Sequence, residues 1–132
     1  MAQEYRRKET CAFLMNYHVV FCPKRRRKIL VGPIRDRLMR IIWETAPDLE
    51  CDVLALEVMP DHVHLFLSAA PQWAPNQLIG RIKGKSARLL RQEFPGLRRM
   101  PSVWTRSYFI STAGNVSSAT IERYIAEQTT RD

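Results

Sequence analysis

One stretch decides the fold of this chain: Glu57-Val58-Met59-Pro60-Asp61-His62-Val63-His64-Leu65-Phe66-Leu67-Ser68, which contains two of its three histidines. Pro60-Asp61 is typical of a tight turn between two β-strands, so the stretch predicts an antiparallel hairpin. Side chains alternate faces along a strand, so His62 and His64 share one face while Val63 points to the other. Two imidazoles about 7 Å apart along a strand are able to hold a metal ion. Taken alone, however, such a pair is more often exposed and polar without a further role.

The segments around this hairpin predict a regular alternation of strands and helices. The expected strands are 12–22, 52–59, a strand from His62 onward and 103–110; the expected helices run from Pro33 to about Ala46, from about Asn76 (the expected N-cap) to Phe94, and from Ser118 to Gln128. The order β-α-β-β-α-β-α predicts an α+β fold of the ferredoxin-like (RRM-like) βαββαβ type, with one antiparallel sheet and an added C-terminal helix. The first and third strands are expected to be central neighbours in the sheet.

The two faces of the predicted sheet differ in polarity. One face is apolar, includes Leu54 from the second strand, and is expected to pack against the helices. The opposite face collects five polar side chains: Asn16, His18, Glu57, His62 and His64. A polar cluster on an open sheet face is hard to explain as core, so this face is the candidate site.

The charge of the chain indicates a polyanionic partner. Lys and Arg number 21 against 13 Asp and Glu, which leaves a net charge of +8 and a pI near 9.9. The candidate phosphate contacts are Lys24, Arg25, Arg26, Arg27 and Lys28, which form a basic run, and Lys83, Lys85 and Arg88 in the second predicted helix. The basic run is equally consistent with a solvated loop.

Composition indicates one globular domain, residues 1–132, in a cytoplasmic protein. Hydrophobic residues make up 45% and charged residues 26% of the chain. No apolar run approaches the ~20 residues of a membrane span, and the N-terminal residues lead to no signal-peptide core. The three cysteines are widely spaced and form no Cys-x-x-Cys pair, which is typical of reduced thiols.

The last predicted helix carries a second candidate pair of residues. Tyr124 and Gln128 are four residues apart and therefore lie on the same helix face. An amphipathic terminal helix that uses Tyr124 for packing would show the same spacing.

Four blocks of the chain together resemble a known family. They are Tyr17-His18-Val19-Val20-Phe21 with the basic run, Met59-Pro60-Asp61-His62-Val63-His64-Leu65, Ile82-Lys83-Gly84-Lys85-Ser86-Ala87-Arg88, and the segment from Trp104 through Tyr108-Phe109 to Tyr124-Ile125-Ala126-Glu127-Gln128. In this order they resemble the TnpA-type single-tyrosine transposases of insertion sequences that move as single-stranded DNA. That family belongs to the HUH endonucleases, named for histidine-hydrophobic-histidine.

The resemblance implies a metal-dependent single-strand DNA endonuclease and strand transferase. The ligands of a Mg²⁺ or Mn²⁺ ion would be His62, His64 and Gln128. Imidazole nitrogens suit Mn²⁺ as well, because Mg²⁺ prefers carboxylate oxygens. Tyr124 would attack the scissile phosphate and give a 5′-phosphotyrosine and a free 3′-OH. The expected substrate is single-stranded DNA with subterminal hairpins.

The resemblance also implies a homodimer whose active sites are shared between subunits. The tyrosine helix of one subunit would complete the histidine site of the other, with Gly114 as the hinge or as an ordinary turn glycine. Trp104 and Tyr108 would either stack on bases or pack in the protein. His18 is a candidate to support the ligands or to contact DNA rather than to bind metal itself.

Three other functions fit part of the pattern. A non-catalytic RRM-like module shares the fold and charge, but it needs exposed aromatic side chains where His62 and His64 lie. A two-histidine phosphoesterase needs a second His-x-Ser/Thr pair, which the sequence lacks. A relative domesticated to process chromosomal repeats would share the transposase chemistry.

Overall fold

A computed structural model describes residues 4–112 and 118–128 of the chain. Its elements are β1 (Arg6–Lys8), β2 (Cys11–Phe13), β3 (Met15–Phe21), α1 (Gly32–Asp48), β4 (Asp52–Met59), β5 (His62–Ala69), α2 (Pro75–Glu93), β6 (Phe109–Thr112) and α3 (Ser118–Glu127), with 3-10 turns at Lys24–Arg26 and Pro95–Arg99. Within those described ranges, no helix is both long enough and apolar enough to cross a membrane.

The main sheet has the predicted topology. Its four strands lie in the order β4-β5-β3-β6, and every neighbouring pair is antiparallel. The strands predicted as first and third, β3 and β5, are therefore the central pair. This order confirms the ferredoxin-like α+β arrangement with an added C-terminal helix.

The hydrophobic core lies between one face of this sheet and the helices α1 and α2. Alternate residues of the central strands, such as Phe21, Leu65 and Leu67, are fully buried there. Leu38 of α1 and Leu78 of α2 are also fully buried and belong to the same cluster. Each such side chain stabilises the fold by about 1.5–3 kcal/mol through burial. The other face of the sheet is thereby left for the polar residues and α3.

A short N-terminal hairpin, β1–β2, was not predicted. It is fixed to the end of the main sheet by Arg6, whose guanidinium donates to the carbonyl oxygens of Ser68 at 3.0 Å and Glu50 at 2.8 Å. The same guanidinium lies 5.0 Å from the centre of the Phe13 ring. Because this hairpin takes residues 11–13, the first strand of the main sheet begins at Met15 rather than at residue 12.

The predicted fourth strand, 103–110, is wrong in its position. Only Phe109–Thr112 pairs with β3 as a regular strand. Val103 and Thr105 instead form single backbone hydrogen bonds with Lys24 and Cys22, and Trp104 forms an isolated bridge with Pro23. A break between these two segments shifts the strand toward the C-terminus.

The expected start of α2 is also wrong. The helix begins at Pro75, and its preceding residue Ala74 donates its backbone N–H to Gln77 Oε1 at 3.0 Å, so Asn76 is not the N-cap. Proline fits the first turn because its missing N–H has no helical partner there.

The apolar face of β4 is interrupted by a bulge. The pairing register with β5 shifts between Val53 and Ala55, so Leu54 is left out of the ladder and is 47% exposed. The prediction that Leu54 packs against the helices is therefore wrong. Alternation is restored after the bulge, and Glu57 lies directly opposite His64.

Candidate active site

The candidate site lies on the open face of the sheet, where a row of paired residues crosses all four strands. Glu57 is opposite His64, His64 is opposite Val20, and Val20 is opposite Phe109. Directly opposite residues point to the same face, and strands are about 4.8 Å apart. The prediction that the histidines share the open face with Glu57 is therefore confirmed, and Phe109 lies two strand spacings from His64.

The first histidine is oriented by the residue before it. His62 Nδ1 is 2.8 Å from Asp61 Oδ1, and Asp61 Oδ2 is 2.9 Å from the guanidinium of Arg26. With a carboxylate as acceptor, Nδ1 carries the proton and the lone pair of His62 lies on Nε2. A carboxylate behind a histidine is the arrangement that orients metal-binding imidazoles in many proteins.

The second histidine is supported in the same way by a third imidazole. His64 Nδ1 lies 3.3 Å from His18 Nε2, and His18 is stacked on Phe66 with ring centres 4.4 Å apart. Burial and the nearby His62 and His18 lower the pKa of His64, while burial alone lowers the pKa of His18. Both imidazoles are therefore kept neutral, so that one ring nitrogen can donate to the other.

The donor atoms of this face fit a divalent transition metal. The rings of His62 and His64 are 4.9 Å apart and nearly perpendicular, and their Nδ1 atoms are both occupied, which leaves the two Nε2 atoms for a ligand. Two imidazoles suit Mn²⁺ better than Mg²⁺. Among residues 4–112 and 118–128, no three His, Cys, Asp or Glu side chains are placed to share an ion. Side-chain amide oxygens are a further type of metal ligand, outside these four residue types.

The helix α3 lies on the same face as the histidines. Ile125 packs with Val20 and Cys22 in a small separate cluster, and the ring of Tyr124 is 5.9 Å from the ring of Phe109. Burial raises the pKa of the Cys22 thiol to about 12. The predicted nucleophile is thus placed over its own chain's sheet, beside the row of residues that contains His64.

One serine contacts both functional side chains of α3. The Ser107 hydroxyl is 2.8 Å from Gln128 Oε1 and 3.4 Å from the Tyr124 hydroxyl. Gln128 is fully buried, and its Nε2 atom has no hydrogen-bond partner. If the amide is turned over, Nε2 donates to Ser107 and the unpartnered atom becomes the oxygen, which is a metal ligand. The orphaned end of this amide therefore fits the third-ligand role predicted for Gln128.

Two of the predicted DNA contacts, Arg26 and Lys83, point into the protein. Arg26 pairs with Asp61 and also donates to the Ile125 carbonyl at 3.5 Å. Its φ of 55° lies in the left-handed region, which costs a non-glycine residue about 1–2 kcal/mol. Lys83 Nζ donates to the carbonyl oxygens of Thr105 at 2.7 Å and Ser107 at 3.0 Å.

The other predicted DNA contacts lie at the surface. Arg25, Arg27 and Lys28 are exposed and Lys24 is half-buried. On the opposite side of the sheet, Lys85 and Arg88 line a groove of about 350 Å³ between α1 and α2, together with Arg81, Asp48, Thr45, Leu49, Gly80 and Gly84. Lys85 Nζ is 3.8 Å from Asp48 Oδ2 there. The structure therefore divides the predicted cations into an inward pair and two outward groups.

The aromatic residues before β6 belong to the protein core. Trp104 is 5% exposed, donates from Nε1 to Ser86 Oγ at 3.1 Å and meets Phe21 edge to face. Of the two roles expected for Trp104, base stacking or packing in the protein, the structure shows packing, because a ring this buried is out of reach of a base. Tyr108 is half-buried, with Lys83 Nζ 5.8 Å from its ring centre. Gly114, the predicted hinge, lies outside the described residues.

Sequence reasoning missed two residues of the site. Asp61 was predicted only as a turn residue, although its position next to His62 gives it a direct contact with that ring. Ser107 lies in a segment predicted as regular strand, and no local pattern distinguished it. The contact of Ser107 with α3 depends on how the C-terminal helix folds back, which the residues around position 107 do not encode.

Comparison with known proteins identifies the class of this protein as a transposase. The family of IS200-like transposases matches residues 11–128 of the chain. The chain belongs to that family.

Relatives and a solved structure agree with this assignment. The chain is 38% identical over 119 residues to the ISDra2 transposase TnpA of Deinococcus radiodurans, covering 88% of this chain and 85% of that protein. It is 32% identical to the transposase for insertion sequence element IS200 of Salmonella typhimurium, covering 88% and 78%. A crystal structure assigned as a transposase from Deinococcus radiodurans superposes with a TM-score of 0.86 at 33% identity, covering 93% of this chain and 97% of that one.

A more distant structure shares the fold. The REP-associated tyrosine transposase bound to a REP hairpin superposes with a TM-score of 0.51 at 14% identity, covering 94% of this chain and 68% of that one. At that identity the likeness concerns the fold alone.

Proposed function

We propose that this transposase cuts and rejoins single-stranded DNA at hairpin-marked ends through a covalent bond to Tyr124. The observation that carries the proposal is the placement of Tyr124 on the same sheet face as His62 and His64, whose Nε2 atoms remain available. A non-catalytic binding module has no use for a hydroxyl and two supported imidazoles on one face.

The chemistry assigned to Tyr124 is a transfer of the phosphodiester to the protein. The phenol oxygen loses its proton and attacks the scissile phosphorus, the bond from phosphorus to the 3′ oxygen breaks, and the 3′ oxygen gains a proton and leaves as a hydroxyl, so that no net proton is released. The 5′ phosphate stays on Tyr124. Because the phosphodiester is conserved, a 3′-OH can later attack the phosphotyrosine and join two strands without ATP.

The histidines and Gln128 would supply the metal site of this reaction. A bound Mg²⁺ or Mn²⁺ would neutralise charge that develops on the scissile phosphate. His62 and His64 would hold it through Nε2, in the orientation fixed by Asp61 and His18. Gln128 would approach with the end of its amide that Ser107 leaves unpaired.

The outward cations are the proposed DNA contacts. The DNA phosphates beside the site would be contacted by Arg25, Arg27 and Lys28. A hairpin stem would lie along the groove on the helical side and be contacted by Lys85 and Arg88. A related fold, that of the REP-associated enzyme, is described with a hairpin bound, which supports a hairpin as the ligand.

A homodimer with shared active sites remains part of the proposal. Among the described residues, the contacts of α3 include the cluster of Ile125 with Val20 and Cys22, the Arg26 contact and the Ser107 hydrogen bonds. An exchange of this helix between two subunits would keep the partners of each contact and change only the chain that supplies them. The same contacts would then be made across the dimer.

Covalent capture of DNA tests the nucleophile. Wild-type protein, incubated with Mn²⁺ and a labelled oligonucleotide that carries a hairpin next to the cut site, should form an adduct that resists denaturation. The Tyr124→Phe variant should bind the same oligonucleotide and form no adduct. An adduct that persists in Tyr124→Phe would sink the assignment. A perfect duplex of the same sequence is the control for strand specificity.

Mixing two inactive variants tests the sharing of sites. Subunits with Tyr124→Phe retain the histidines, and subunits with His64→Ala retain the tyrosine, so a composite site forms only if α3 crosses between them. Cleavage that returns on mixing supports exchange. A mixture as inactive as its components argues for a site completed within one chain.

A further inference from the structure

We propose that Ser107 is the positioning residue for Tyr124 and Gln128, and that Lys83 acts through Ser107 instead of contacting DNA. This inference rests on the proposed function, because it gives Ser107 the task of presenting the proposed nucleophile and third ligand. It moves Lys83 from the set of DNA contacts to the support of the active site.

The first step of the argument is the hydrogen bonding of Ser107. Its hydroxyl lies within 2.8 Å of Gln128 Oε1 and 3.4 Å of the Tyr124 hydroxyl, so one side chain contacts both residues. Since Gln128 is fully buried, its amide cannot obtain the same hydrogen bond from water. In either amide orientation Ser107 engages one end and leaves the other end directed elsewhere.

The second step is the way Ser107 itself is held. Its backbone carbonyl accepts hydrogen bonds from Lys83 Nζ at 3.0 Å and from Thr105 Oγ1 at 3.2 Å. Lys83 Nζ also donates to the Thr105 carbonyl at 2.7 Å. It therefore binds the backbone at both ends of the segment from Thr105 to Ser107, which has no regular strand pairing. A charged donor makes such hydrogen bonds stronger than a neutral one. The ammonium of Lys83 therefore fixes the backbone from which the Ser107 hydroxyl projects.

The third step is the position of Lys83 on its helix. Lys85 lines the groove between α1 and α2, on the helical side of the protein. Lys83 instead reaches the segment that precedes β6, close to the Tyr108 ring. Lys83 and Lys85 lie two residues apart on one helix and therefore reach opposite surfaces of the protein. The backbone that Lys83 contacts includes Ser107, whose hydroxyl contacts Tyr124.

The main test separates positioning from DNA binding. Ser107→Ala should lower the rate of adduct formation at saturating oligonucleotide by about tenfold, as expected for loss of a buried hydrogen bond, and leave the hairpin Kd unchanged. Ser107→Thr retains the hydroxyl and should restore most of the rate. Ser102→Ala is the matched control, because Ser102 Oγ donates to the Trp104 carbonyl in the same segment, away from α3.

The same measurements apply to Lys83. Lys83→Met should slow adduct formation at saturation without weakening hairpin binding more than Arg98→Gln does. Arg98 is a suitable control because it also donates to backbone carbonyls, those of Arg91 and Gln92, and removing it also costs one positive charge. A selective loss of hairpin affinity in Lys83→Met would overturn its reassignment.

The outcomes distinguish this inference from the proposed function. An adduct in Tyr124→Phe overturns the function and the inference together. If Tyr124→Phe forms none but Ser107→Ala reacts at the wild-type rate, only the inference fails. It also fails if Ser107→Ala loses rate and hairpin affinity in parallel, or if Ser107→Thr stays as slow as Ser107→Ala. A second readout needs no metal: Cys22, buried beneath α3, should be alkylated faster in Ser107→Ala if the serine holds that helix.

Discussion

The two halves of the candidate site are held by very different amounts of structure. The histidine half is part of β5, a central strand that is paired along its length with β3 and β4. The tyrosine half is part of α3, which has no ladder of backbone pairing with the sheet and whose described contacts include an apolar cluster and side-chain hydrogen bonds. Rigid placement suits metal ligands, whose geometry must persist. A helix held through side-chain contacts would suit the proposed nucleophile, which has to carry a DNA end from one joining event to the next.

The largest expected effect is on the affinity for Mn²⁺, which should depend on the histidine half and not on the tyrosine half. His64→Ala should lower the affinity for Mn²⁺ without DNA by more than about a hundredfold, because it removes a proposed direct ligand. Tyr124→Phe should leave that affinity unchanged, although it abolishes the adduct. Calorimetric titration of the two variants with Mn²⁺ checks this directly. Equal losses of affinity would mean that the halves do not act independently.

The next effect concerns the support of the histidine half. Asp61→Asn should weaken Mn²⁺ binding by about tenfold to a hundredfold, because the carboxylate that orients His62 is lost. Asp52→Asn is the control, since Asp52 is exposed and pairs only loosely with Arg6 at 3.8 Å. Should both variants bind Mn²⁺ like the wild type, the contact between Asp61 and His62 has no role in metal binding.

The same comparison explains what the sequence could predict. The histidine half is encoded locally: alternation and the Pro60-Asp61 turn determine which face His62 and His64 occupy, and the ladder preserves that register. The rule failed only where the backbone left the regular pattern, at the Leu54 bulge and in the segment before β6. Propensity cannot foresee either, because both depend on partners distant in sequence.

The tyrosine half was predictable only as a list of residues. The spacing of Tyr124 and Gln128 was visible, but their contact with Ser107 requires α3 to fold back over β6. The direction of long cationic side chains was unpredictable for a similar reason: Arg26 and Lys83 lie in basic segments, and both also make polar contacts within the protein. The charge of such a side chain can be read from the sequence, but the direction in which it points cannot.

A smaller effect is expected when the docking of α3 is weakened. Ile125→Ala removes most of the apolar contact with Val20 and Cys22, and should increase the alkylation rate of Cys22 by about tenfold or more in a Cys11→Ser background. Cys51, buried in the main core, should stay protected and serves as the internal reference. Mass spectrometry after timed alkylation measures both rates.

The control for this variant is a substitution in the main core. Ile79→Val removes one methylene group beneath the other face of the sheet, where Ile79 is 1% exposed. It should lower Tm and have little effect on Cys22. Comparable acceleration of Cys22 in both variants would indicate that α3 is released only by global unfolding, and the contrast between the two halves would be lost.

The smallest effect is a dependence of metal-free stability on pH that belongs to the histidine half. The pKa values of His64 and His18 are lowered in the folded chain, so the unfolded chain binds more protons once the pH approaches the ordinary value of 6.5. The stability that comes from burying these neutral imidazoles should therefore be fully present above pH 6.5 and decrease as the pH falls through the lowered folded-state pKa values.

Urea unfolding between pH 8 and 5 should show this decrease in the wild type and a smaller one in His64→Gln. Tyr124→Phe should follow the wild-type profile, since this substitution changes neither imidazole. If the stability of His64→Gln decreased as steeply with pH as that of the wild type, the decrease would come from other titrating groups. The burial of His64 would then make no contribution to the pH dependence.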